Sequence, residues 1–122
     1  MILFEWKRAV GIVLLVLAGL LLQVGTNASA EDRREVVRKS RILLGDAHRA
    51  YALGDTDMAL AKLDSILVTD PQNPDAHYFL GAIRLDMADT AGAKEVLVEG
   101  VALAPLSRRL KLLLARVEIA RG

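Results

Sequence analysis

The chain has 122 residues, 53% hydrophobic and only 4% aromatic, with a formal net charge of +1. That length bounds it to one small folded module beside any targeting segment. From residue 31 onward, 14 basic residues balance 14 acidic ones, which leaves no basic stripe for nucleic acid. The absence of cysteine excludes disulfides, thiolate metal sites, a cysteine nucleophile and a lipid-modified N-terminal cysteine.

The first element is apolar. Ala9 to Val24 carries no charge, Gln23 is its only polar side chain, and the uncharged run continues through Ala30. A helix of that length, at about 1.5 Å per residue, matches a hydrocarbon core of roughly 30 Å. Lys7 and Arg8 precede it, and Trp6 stands where an interfacial aromatic belongs. These features predict a transmembrane signal-anchor over residues 1–30, helical from about Leu3 to Val24, with residues 9–26 in the membrane. A secretory signal cleaved after Ala28-Ser29-Ala30 fits the same residues. The signal-like start puts the rest of the chain outside the cytoplasm, whereas Arg33, Arg34, Arg38, Lys39 and Arg41 favour the opposite orientation. The working expectation is a single pass through the inner membrane with residues 31–122 periplasmic.

Beyond the anchor the chain reads as helices throughout. The first covers about Glu31 to Leu53, and the others Asp57 to Val68, Pro74 to Met87, Thr90 to Ala102 and Ser107 to Arg121. Within the second, Ala59, Leu60, Leu63, Ile66 and Leu67 fall at helical spacing. Gly54 suits a left-handed turn and Asp55 can cap the helix that follows. Pro71 and Pro105 end their helices by removing an amide donor and restricting the preceding residue.

These landmarks repeat. Gly54-Asp55 returns as Ala88-Asp89, Ala59 as Ala93, and Asp70-Pro71 as Ala104-Pro105, each 34 residues on. That period and those residues resemble the tetratricopeptide repeat. The resemblance covers roughly Ser40 to Gly122, with one repeat over Ser40–Asn73 and a second over Pro74–Ser107. The second carries the family's Leu80-Gly81 pair, Ala93 and Pro105. The first keeps Ala47, Ala59 and Pro71, but has Leu43 where an aromatic is usual and Asp46 where Leu is usual. The fold class so implied is all-α: an N-terminal transmembrane helix, then about two tetratricopeptide-like repeats with a terminal capping helix.

The resemblance also implies a binding surface. Ligands of such arrays lie along a concave face lined by the first helix of each repeat. Carried over, that face comprises Arg41, Leu44, His48, Tyr51 and Ala52, then Asp75, Tyr78, Ala82, Leu85 and Asp86. The terminal helix adds Arg109, Leu112, Arg116, Ile119 and Ala120. In that helix Leu110, Leu113, Leu114 and Val117 form a stripe that packs on the second repeat, while Leu112 and Ile119 face elsewhere. The partner-binding residues expected are Leu44, His48, Tyr51, Tyr78, Ala82, Leu85, Arg109, Leu112, Arg116 and Ile119. A carboxylate clamp of the chaperone-tail type is not expected, because Leu44, His48 and Phe79 stand where it needs Lys and Asn.

Nothing points to catalysis. His48 and His77 have no third ligand at metal spacing, and the chain lacks a phosphate loop, a Ser-His-Asp order and HExxH. Asp55, Asp57, Asp86 and Asp89 cluster at turns, where capping accounts for them. No cofactor or metal is expected. The reading is a non-catalytic, membrane-tethered scaffold or assembly factor that binds a protein partner, itself part of a membrane-protein complex. The alternative is a small accessory subunit of a larger membrane assembly for electron transfer or photosynthesis. So few repeats bury a small core, which predicts support by self-association or by docking to a larger assembly.

Overall fold

A computed structural model describes the backbone of residues 2–122 and the side chains of residues 7–18 and 29–122. Five helices follow one another: α1 (Ile2–Ala52), α2 (Thr56–Thr69), α3 (Pro74–Asp86), α4 (Thr90–Leu103) and α5 (Arg108–Arg121). The chain divides into two compact units, Met1–Glu35 and Val36–Gly122, and α1 contributes to both.

The sequence separates an anchor helix from a first repeat helix, whereas the structure runs both into α1. The reason is local. No proline occurs before Pro71, so every amide through the Gly25–Ala30 stretch remains free to donate. One glycine there disfavours a helix by only about 1 kcal/mol.

The transmembrane expectation is corrected. Among the described residues, no helix is long and apolar enough to cross a membrane. The described side chains of the apolar run are those of residues 9–18. The side chains of residues 19–28, on which the rest of the predicted span falls, lie outside the described residues. Within the first unit, Val10 and Ile12 through Leu17 are all exposed.

In the second unit the sequence period becomes a period of hydrogen bonds. Gly54 N–H donates to Tyr51 and Asp55 N–H to Ala50, and 34 residues on Ala88 N–H donates to Leu85 and Asp89 N–H to Arg84. Side-chain caps follow the same rule. Asp55 accepts from the amide of Met58 at 3.0 Å and Asp89 from that of Gly92 at 2.9 Å. Asn73 accepts from Ala76 at 3.1 Å and Ser107 from Leu110 at 3.4 Å. Four helices thus begin on a residue whose short polar side chain satisfies an otherwise orphaned amide. Pro74 adds the first-turn proline of α3, where no amide is missed.

Two cores result. The first joins Ala47, Ala59, Leu63, Ile66, Ala76, Phe79, Leu80, Ile83 and Val96. The second joins Ala93, Leu97, Leu110, Leu113 and Val117, with Leu114 packed at its side, so the α5 stripe does cover the second repeat. Close approach depends on missing side chains. A Cβ on Gly81 would stand 2.6 Å from Leu97 Cγ, and one on Gly100 would stand 3.0 Å from both His77 Cβ and Leu110 Cδ2. His77, 4% exposed, occupies the room that Gly100 leaves. Its Nε2 lies 3.0 Å from the Pro71 carbonyl oxygen, which can only accept, so Nε2–H donates and Nδ1 is left without a partner.

Candidate protein-binding groove

The last turns of α1, with α3 and α5, supply every position of the expected binding face. On α1, Leu44 and Tyr51 are half-buried against the first core. Exposed His48 stacks on Phe79, with ring centroids 3.9 Å apart at 18°. Tyr51 meets Phe79 edge-on at 5.7 Å and 90°. Phe79 is only 7% exposed, so it joins α1 to α3 from beneath rather than lining the surface. The edge-on Tyr51–Phe79 pair lies in the range that aromatic quadrupoles favour, whereas the His48 and Phe79 rings stack closer than that range.

The Tyr51 hydroxyl donates to Asp86 Oδ2 at 2.5 Å. That bond, then slight desolvation and the carboxylate's charge, pushes the phenol above its ordinary pKa. Asp86 was expected to serve as a cap; it instead ties the end of α3 to α1, and Met87 caps the helix.

On α3, Tyr78, Ala82 and Leu85 are half-buried against the second core. Arg109 reaches across from α5. Its guanidinium lies 4.3 Å from the centre of the Tyr78 ring and 3.7 Å from Asp75. A cation over a ring face is attracted by its quadrupole, and Arg stacks there more readily than Lys. Beside this contact a hollow of about 340 Å³ is lined by Tyr78, Arg109, Leu112, Leu113 and Arg116. Leu113 is 4% exposed and forms its floor, while Leu112 at 61% stands at its edge. Ile119 is 79% exposed and lies outside the hollow, as do Ala82, Leu85 and the α1 residues. Glu118 of α5 pairs with Lys94 of α4 at 2.8 Å, and that lysine holds the Glu118 carboxyl below its usual range.

The sequence thus finds four of the hollow's five residues, but assigns Leu113 to the core alone. Asp75 and Asp86 stand at groove register in the sequence, yet only the structure reveals the side chains they meet. Phe79 offers no sequence signal for its two ring contacts, because they join residues about thirty positions apart.

Stacked helix pairs with a 34-residue period, a closing helix and one open face of mixed apolar and basic side chains define a helical-repeat binding module. The profile described as Tetratricopeptide repeat matches residues 50–120, more than half of the chain. The chain belongs to the tetratricopeptide-repeat family, whose repeats generally mediate protein–protein interaction and are typically non-catalytic. No curated protein matches it.

Proposed function

We propose that this protein is a non-catalytic scaffold or assembly factor that holds an extended or helical apolar segment of a partner along the α1–α3–α5 face. The observation that carries the reading is a line of apolar groups with no intramolecular purpose at its α5 end. Leu112 and Ile119 are 61% and 79% exposed, and Leu112 lines the hollow with half-buried Tyr78. A segment laid there covers two aliphatic side chains at about 1.5 kcal/mol or more each. Replacing both by Asp therefore weakens binding on the order of a hundredfold.

The test is capture of partners from the native cell by tagged full-length protein, with Leu112→Asp/Ile119→Asp alongside. The expected result is a stoichiometric partner kept by the wild type and lost by the variant, with helix content unchanged in both. Loss of helix content would put the two residues in the core and refute the reading.

A second reading is an accessory subunit of a larger assembly. It is favoured by the apolar side chains Val10 and Ile12–Leu17, exposed together on one helix. Contiguous exposed apolar surface of this kind marks an interaction site. A subunit would stay with its assembly through extensive washing, where an adaptor dissociates.

A further inference from the structure

The groove has a chemical polarity that narrows its partner. We infer that the hollow beside Tyr78 selects partner segments in which an apolar side chain is flanked by carboxylates; this rests on the groove reading above. The hollow's volume, about 340 Å³, sits at the small end of ligand pockets, which run from roughly 300 to 1,000 Å³. With buried Leu113 as floor and the Tyr78 ring as wall, it suits one inserted aliphatic or aromatic side chain.

The charge around it is positive and not answered from within. The groove positions contain two carboxylates, and both are engaged. Asp86 accepts from Tyr51, and Asp75 faces Arg109. Arg116, at the mouth of the hollow, has no carboxylate partner among the described residues, and Arg41 at the α1 end has none either. The one acidic residue of α5, Glu118, is drawn away to Lys94. The Asp75–Arg109 contact is itself loose, at 3.7 Å between side chains 62% and 66% exposed, so an incoming carboxylate can take Arg109 over. The ring beneath Arg109 holds its guanidinium in place, a pre-ordered fork for a carboxylate.

The same charges argue against two other occupants. A second copy paired through this face would set Arg109 and Arg116 against their own kind, and like charges facing across an interface are strongly unfavourable. Nucleic acid is disfavoured because aliphatic Leu112 and Ile119 alternate with the arginines, where a phosphate backbone requires polar donors.

The experiment selects random linear peptides displayed on phage against the full-length chain, then measures synthetic winners by fluorescence polarisation. The expected winners carry Leu, Ile, Phe or Trp next to Asp or Glu. Their affinity falls about tenfold or more on Arg116→Glu, falls less on Arg116→Gln, and falls with added salt. Winners without acidic bias, bound normally by Arg116→Glu but lost on Leu112→Asp, would overturn this inference and leave the groove intact. No enrichment, or winners indifferent to both substitutions, would sink the groove reading itself. Labelled oligouridine bound more tightly than any peptide, and released by Arg116→Glu, would assign the surface to nucleic acid instead. Arg116 is exposed, so circular dichroism of its variants should match the wild type.

Discussion

The two turns that join the helices of each repeat have the same hydrogen bonds but different residues at their left-handed position. Gly54 has φ +85° and Ala88 has φ +62°. An L-residue with a Cβ loses roughly 1–2 kcal/mol in that region, whereas glycine loses about 0.5–1 kcal/mol more chain entropy on folding. Ala88→Gly therefore gains about 0.5–1 kcal/mol, and Gly54→Ala loses a similar amount. The Gly54 substitution is clean, because an added Cβ meets nothing within 4 Å. For a domain of this size about 1 kcal/mol moves the midpoint by roughly 4–8 °C. Thermal unfolding by far-UV circular dichroism should then rank Ala88→Gly above wild type and Gly54→Ala below it. The double variant should fall near wild type, since the two turns lie in different repeats and share no partner. A lowered midpoint for Ala88→Gly would mean that strain at Ala88 is absorbed elsewhere, and the argument from φ would fail.

Two further outcomes follow from close contacts. Gly81→Ala forces a Cβ to 2.6 Å from Leu97 Cγ, which has no flexible end to swing aside; overpacking of this kind costs about 1–3 kcal/mol, and an unchanged urea midpoint would show that α3 and α4 separate freely. The Tyr51–Asp86 bond gives a pH dependence. The folded phenol titrates above the unfolded value of 10.0, so its contribution is fully present below that pH and is lost as pH rises through the folded pKa. Urea unfolding of the wild type should weaken with alkali above pH 10.0 more steeply than that of Tyr51→Phe, and parallel curves would exclude Tyr51 as the cause.

What the sequence revealed and what it hid divide along a physical line. Turns and caps are local: Gly54, Asp55, Asn73, Asp89 and Ser107 act on amides within three residues, so a 34-residue period in their types became a period in their bonds. Helix continuation was misjudged because it depends on an absence. An apolar stretch and a charged stretch look like separate elements, yet without proline between them the backbone of α1 runs on. The expected groove positions came from the family resemblance, which assigns positions but not the pairings between them. Arg109 over Tyr78 and Tyr51 on Asp86 each join different helices, and no rule of spacing selects them.

The cores make the same point from the other side. Where the first repeat places Leu43 and Ile66, the second places His77 and Gly100, with the histidine filling the space that the glycine vacates. A histidine and a glycine are together smaller than a leucine and an isoleucine, and Leu110 of α5 also moves in over Gly100, its Cδ2 3.0 Å from where a Cβ there would stand. The exchange also brings a polar ring into the core, and His77 is held there by one bond to the Pro71 carbonyl at the turn between repeats. That bond works beside the Asn73 cap at the start of α3, so the histidine that departs from the first repeat's core also ties down the turn preceding Tyr78, Ala82 and Leu85.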